Sequence, residues 1–83
     1  MNAATKKALT EKLSSVGSDK VVFHRDGSVT AKHGFFYTHG YHAENFAERI
    51  KSAVDGVTVI EAFDDWQPWP KDSYLTVKFT VGE

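Results

Sequence analysis

The sequence predicts an α+β fold: one small domain with the element order αββαββ and a four-stranded, mostly antiparallel sheet. Two segments repeat apolar residues at helical intervals, and four segments have the alternation or β-branched content of strands. Each predicted helix carries a single apolar stripe, and each strand has one clearly apolar side. Both helices are therefore expected on one face of the sheet. With 83 residues, the chain has room for one core, so residues 1–83 are predicted to form a single domain.

The first predicted helix covers Thr5–Val16 and is followed by a glycine, where a helix would stop. Its apolar residues, Leu9 and Leu13 among them, recur on one side. Asn2 or Thr5 can supply the oxygen that caps its first turn. These features predict a short amphipathic helix.

Two strands follow this helix. Lys20–His24 is rich in β-branched residues, and Arg25–Gly27 then supplies the residues of a tight hairpin turn. The second strand begins at Ser28 or Val29 and runs towards Thr38, interrupted by His33-Gly34. Because glycine within a strand more often marks a bulge than a turn, we predict one long bent strand, with a three-stranded meander as the alternative.

The second half of the chain predicts a helix and two more strands. The helix covers His42–Val54, and Val57–Phe63 resumes β character. The segment Tyr74–Val81 alternates strictly, which indicates an antiparallel strand with one face in water. Its apolar side consists of Leu75, Val77, Phe79 and Val81, and its wet side of Tyr74, Thr76, Lys78 and Thr80.

Composition excludes several classes of protein. The chain has no cysteine, so it forms neither disulfides nor thiolate metal sites, which suits a cytoplasmic location. No apolar run is long enough to span a bilayer, so no membrane association is expected. The net charge is −1, so the chain lacks the strongly basic surface of a protein that binds nucleic acid mainly by electrostatic attraction. The charge is nevertheless uneven, because residues 1–54 are basic on balance and residues 55–83 acidic.

The most distinctive segment is the loop Asp64–Asp72, which holds both tryptophans and both prolines between two strands. One tryptophan is expected to close the core and the other to contact a partner, since tryptophan is frequent at interface hot spots. The acidic residues favour a basic partner surface. We therefore predict a non-catalytic protein-binding module that acts through this loop or a sheet edge, with self-association included. The predicted binding residues are Asp64, Asp65, Trp66, Trp69, Lys71 and Asp72.

Single-stranded nucleic-acid binding is the first alternative. The aromatic strand at residues 35–37 would stack bases while lysines contact phosphates. The residues of this alternative are Lys32, Phe35, Tyr37 and Lys78. Protein is favoured over nucleic acid because alternation buries about half of such a strand and no complete RNA-binding signature is present.

The second alternative is a metal site built from histidines and a carboxylate. His33, His39 and His42 would have to converge with Asp64 or Asp65. On an unbroken strand, however, His33 and His39 lie ~20 Å apart at ~3.3 Å per residue. We therefore predict no metal site and no cofactor. No nucleophile elbow, phosphate loop or zinc-protease motif occurs either, so we predict no catalytic residues and no enzyme activity.

Three blocks of the chain carry a resemblance to known sequences: residues 26–30, residues 34–40 and residues 43–48. Together they resemble small uncharacterised proteins encoded by tailed phages and prophages, over roughly residues 20–80. The resemblance brings no activity and no functional residue. It implies expression in a bacterial host cytoplasm and a protein that binds and modulates a host or phage component.

Overall fold

The helices and strands follow the predicted order. The computed structural model describes residues 2–35, 42–65 and 73–82. The elements are α1 (Ala3–Ser15), β1 (Lys20–Phe23), β2 (Val29–Phe35), α2 (Ala43–Ala53), β3 (Val57–Asp65) and β4 (Ser73–Val81). The αββαββ order and the α+β class are therefore confirmed.

The two helices begin differently. The side-chain oxygen of Asn2 accepts a hydrogen bond from the amide of Thr5 at 2.8 Å, so Asn2, one of the two predicted candidates, caps α1. The residue before α2, His42, makes no side-chain capping hydrogen bond of its own. Because the first amides of a helix have no partner within it, α2 needs an acceptor from another element.

The four strands form an antiparallel sheet in the order β1-β2-β4-β3. β1 and β2 form the predicted hairpin, in whose turn Gly27 adopts a φ of 91°. β4 is the last strand in the chain but lies between β2 and β3, so it is paired on both sides. β1 and β3 are the outer strands.

The irregularity of the sheet lies in β3. β2 pairs with β4 without a register shift from Val29, opposite Phe79, through to Phe35, opposite Ser73. The predicted bulge at Gly34 is therefore wrong, and β2 continues through this glycine without the turn of the meander alternative. The register of β3 with β4 instead shifts after Val59, which makes Ile60 an extra residue. Residues 36–38 of the predicted strand lie outside the described residues.

One buried cluster joins both helices to the sheet. Leu13 of α1 and Ile50 of α2 are both fully buried in it. The complete cluster consists of Leu9, Leu13, Val29, Ala31, Ala43, Phe46, Ala47, Ile50, Val54, Leu75, Val77 and Phe79. The strand members follow the predicted alternation, and burial of this apolar surface is the main source of stability in a domain of this size.

Candidate functional site

Asp64 supplies the cap that α2 lacks. One oxygen of its carboxylate accepts a hydrogen bond from the amide of Ala43 at 2.7 Å, and the other accepts one from Nδ1 of His42 at 3.1 Å. The bond from Ala43, aided by the bond and charge of His42, holds the pKa of Asp64 below its usual value, although desolvation opposes this. Asp64 therefore positions a helix, and its predicted role in partner binding stays a prediction.

The extra residue Ile60 decides which way Asp64 points. Beyond it, Ala62 pairs with Val77 and Asp64 pairs with Leu75. Directly paired residues share one face of a sheet, so Asp64 lies on the face of the buried residues Val77 and Leu75. A strand of the same sequence without the shift would turn Asp64 to the opposite face. The bulge thus brings the carboxylate to the start of α2.

β3 continues through Asp64 and Asp65, so the prediction that the loop begins at Asp64 is wrong. Beyond Asp64, only Asp65 of the predicted loop is described. Asp65 ends β3, is partly buried and pairs with Tyr74. Trp66, Trp69, Lys71 and Asp72 lie outside the described residues. Alternation along β3 places Asp64 and Asp65 on opposite faces of the sheet, so the two carboxylates do not act together on one surface.

Three lysines and a tyrosine share the other face of the sheet. Lys20 pairs with Lys32, and Lys32 pairs in turn with Thr76. Tyr74 and Lys78 flank Thr76 two residues away along β4, on the same side of that strand. We call this surface, made of Lys20, Lys32, Tyr74, Thr76 and Lys78, the lysine face. It brings together Lys32 and Lys78, the two lysines of the predicted nucleic-acid site.

The aromatic residue beside these lysines is not one of the two that the sequence pattern indicates. Phe35 ends β2, where its backbone pairs with Ser73, and Tyr37 lies outside the described residues. The ring of Tyr74 takes this place instead. The ammonium nitrogen of Lys20 lies 4.9 Å from the centre of this ring, and that of Lys32 lies 5.8 Å from it. Both distances are within the range of a cation–π interaction.

Gly34 makes room for this arrangement. It lies directly opposite Tyr74, and a Cβ atom at this position would come within 3.7 Å of the tyrosine ring and 3.1 Å of Oδ2 of Asp19. The amide of Gly34 donates to the same Asp19 oxygen at 2.6 Å. The Asp19 carboxylate thus continues the hydrogen-bonded ladder between β1 and β2 beyond the first residue of β1. The Tyr74 ring lies over the backbone of Gly34.

Thr76 lies at the centre of the lysine face. It pairs with Lys32 on one side and with Phe63 on the other. Its residue is only 4% exposed, so the prediction that Thr76 faces water is wrong. Within the described residues its hydroxyl oxygen is buried and has no hydrogen-bond partner. Such an atom is rare in folded proteins and requires a physical explanation.

β3 carries exposed apolar side chains at one edge of the sheet. Ile60 is 55% exposed and Phe63 is 43% exposed. On the opposite outer strand, Val22 of β1 is 45% exposed. Ile60 is the most exposed of these three residues, and it coincides with the bulge.

Two histidines of the metal alternative, His33 and His42, have structural partners in the described residues. Nδ1 of His33 donates to the carbonyl of Gly17, and its ring lies 5.7 Å from that of Phe46. His42 is bound to Asp64. Within residues 2–35, 42–65 and 73–82, no group of three or more histidine, cysteine, aspartate or glutamate residues is placed to hold a metal ion. His39, the third histidine of the metal alternative, lies outside these ranges.

Two residues of the lysine face, Lys20 and Tyr74, were missed as candidates for a binding site. The alternation of the last strand already places Tyr74 on the same side as Lys78. For Lys20, no signal along the chain is available, because its approach to Tyr74 depends on β4 pairing with β2. Lys20 could therefore be recognised as a site residue only with knowledge of the strand order.

No protein-family model, curated protein or solved structure matches this chain. In the part of the chain that the structure describes, neither helix has the length and apolar character needed to cross a membrane.

Proposed function

We propose that this protein is a non-catalytic binding module that recognises a protein partner through the outer edge of β3 and the acidic loop at residues 64–72. The observation that carries the proposal is the 55% exposure of Ile60 on an outer strand. An isoleucine left in water at a strand edge gains most of its hydrophobic stabilisation only when a partner covers it. The strand that bears it runs directly into the tryptophan loop.

The backbone of β3 supports the same proposal. β3 spans nine residues, and among the described residues only β4 pairs with it. Amides and carbonyls along the outer edge of such a strand are available to an added strand from another chain. A second copy of this protein is one such chain, so homodimerisation is part of the proposal. The bulge at Ile60 limits how far a regular added ladder extends.

The loop defines the chemistry of the partner. Asp64 is bound to the start of α2, so we assign the preference for a basic surface to Asp65 and Asp72. A tryptophan that faces the partner favours an apolar pocket within that surface. We further infer that both helices cover the sheet face of Val77 and Leu75, because their buried residues join one cluster with it. In this arrangement neither helix covers the lysine face.

We also propose that the protein acts in the bacterial cytoplasm on a host or phage component. Two sequence features support this location. The chain has no cysteine, which suits a reducing compartment. It also resembles phage-encoded proteins over most of its length.

The test compares partner binding by Ile60→Lys with binding by Val22→Lys, its control on β1. Both substitutions place a lysine at an exposed apolar position of an outer strand. Tagged variants are used to isolate proteins from bacterial lysate, with quantitative mass spectrometry, and their mass in solution is measured by light scattering. We expect Ile60→Lys to lose a partner, or a dimer, that the wild type and Val22→Lys retain. Equal retention by both variants would contradict the proposed edge.

The role of the loop in binding is tested with the variants Trp66→Ala and Trp69→Ala in the same assay. The melting temperature of each variant is measured as well. The replacement of a buried tryptophan lowers stability by about 3 to 5 kcal/mol, whereas the replacement of an exposed one has little effect on stability. We expect one variant to melt early and the other to melt normally but bind less. If both variants unfold and neither weakens binding selectively, the loop is part of the core and not a contact.

A further inference from the structure

We propose that the lysine face binds single-stranded nucleic acid, with phosphates over Lys20 and Lys32 and bases against Tyr74 and Phe63. Phe63 is shared with the exposed apolar side chains of β3, whereas Lys20, Lys32 and Tyr74 lie on other strands. The proposal does not depend on the protein-binding function. The ligand is identified by its chemistry, which combines a regular series of negative charges with a series of flat rings.

The charges support this ligand. Lys20 and Lys32 lie directly opposite each other on adjacent strands. Both ammonium groups lie within 6 Å of the same tyrosine ring, which concentrates positive charge at one place. A phosphate chain that passes over this place contacts both ammonium groups and releases its counterions, which favours binding.

Acidic residues on the same face of the sheet determine on which side of the face the phosphates of the ligand lie. Glu61 pairs with Lys78, and Asp65 pairs with Tyr74, so the side of the face nearest β3 carries negative charge. Phosphates are therefore expected on the β1 and β2 side. The bases then extend towards β4 and β3, where the aromatic rings lie.

The two rings have a spacing suited to neighbouring bases. Phe63 is 43% exposed and pairs with Thr76, which lies two residues from Tyr74 along β4. Phe63 and Tyr74 are thus diagonal neighbours, with Cα atoms about 7 to 8 Å apart. Aromatic side chains bind bases of any sequence by stacking. An acidic peptide offers the negative charges without a ring for each charge, so nucleic acid is the better fit.

Thr76 provides independent support. Its hydroxyl is buried between Lys32 and Phe63 and, in the described part of the chain, has no hydrogen-bond partner. A hydroxyl can donate to a phosphate oxygen or to the edge of a base. A bound strand at this place supplies the acceptor that the protein does not.

The experiment measures the affinity for a fluorescein-labelled oligothymidylate of twelve nucleotides, by fluorescence anisotropy, over a series of salt concentrations. The wild type is compared with the double variant Lys20→Gln/Lys32→Gln. Its control is Lys7→Gln/Lys12→Gln, which removes the same charge from exposed positions of α1. Tyr74→Leu tests the ring, and unlabelled poly-glutamate serves as a competitor.

We expect the wild type to bind more weakly as salt rises and the Lys20/Lys32 variant to lose tenfold or more at low salt. The slope of log affinity against log salt should become shallower by roughly 1.4, since each single-strand phosphate contact contributes about 0.7. The control should keep the wild-type slope. Tyr74→Leu should weaken binding but leave the slope of log affinity against log salt unchanged. An absence of binding at the lowest salt, equal losses in the control, or equal competition by poly-glutamate would overturn the proposal.

Discussion

Asp64 of β3 and Ala43 of α2 are joined by a 2.7 Å hydrogen bond from the amide of Ala43 to the carboxylate. A residue 21 positions away along the chain therefore serves as the helix cap. The negative charge of Asp64 also lies at the positive end of the helix dipole, which adds to the interaction. This hydrogen bond therefore links the orientation of β3 after its bulge to the residue at which α2 begins.

Asp64→Ala should lower the free energy of unfolding by about 1 kcal/mol, the usual effect of losing a helix cap. The amide of Ala43 loses its acceptor, whereas the apolar contacts of α2 remain. Asp64→Asn should lose less, because its side-chain oxygen still accepts a hydrogen bond. Urea denaturation monitored by circular dichroism measures both changes.

The control for this prediction is Asp55→Ala, which removes the same charge from an exposed residue after α2. It should leave the unfolding free energy nearly unchanged. Equal losses in Asp55→Ala and Asp64→Ala would show that overall charge matters and that the cap does not.

The contribution of Asp64 should depend on pH in the acidic range. The hydrogen bond from Ala43 lowers the pKa of Asp64 in the folded state. The stabilisation is therefore fully present above the unfolded-state pKa, about 3.9, and is lost as the pH falls through the lower folded-state pKa. The difference in unfolding free energy between wild type and Asp64→Ala should therefore be larger above about pH 4 and should shrink as the pH falls below it.

The difference between the two proteins is the appropriate measurement because Asp26 titrates in the same direction. Ser28 donates its hydroxyl and its amide to Asp26, and these bonds lower the pKa of Asp26 too. Both proteins contain Asp26, so its effect cancels in the comparison. A difference that stays constant down to pH 2 would contradict a role for the ionised Asp64 carboxylate.

The order of elements could be predicted from the sequence because periodicity acts over short stretches. The apolar alternation from Leu75 to Phe79 and the stripe containing Phe46 and Ile50 were both sufficient for a correct assignment. The bulge could not be located in the same way. Gly34 is accommodated by the Asp19 carboxylate and the Tyr74 ring, which only the paired strands bring to it.

The candidate sites depend on long-range pairing to a greater extent. Lys32 and Lys78 were identified as a pair, and the register does place them on one face. The approach of Lys20 to Tyr74 follows from the insertion of β4 beside β2, which no local pattern indicates. The capping role of Asp64 likewise depends on the register shift at Ile60, because that shift selects the face to which the carboxylate belongs.

Thr76→Val should raise the free energy of unfolding by about 1 kcal/mol. The substitution replaces a buried hydroxyl without a protein partner by a methyl group of similar size, which removes a desolvation penalty. For a domain of this length the change corresponds to an increase in melting temperature of roughly 4 to 8 °C. Differential scanning calorimetry measures it directly.

Thr30→Val is the matched control on the neighbouring strand. Thr30 is also buried, but its hydroxyl is hydrogen-bonded to Nε2 of His24 at 2.6 Å. This variant should therefore lose about 1 kcal/mol of stability. If Thr76→Val is destabilising as well, the Thr76 hydroxyl has a favourable interaction in the free protein. If Thr76→Val stabilises the fold while weakening oligonucleotide binding, the hydroxyl serves the ligand at the expense of stability, as the proposed role of the lysine face requires.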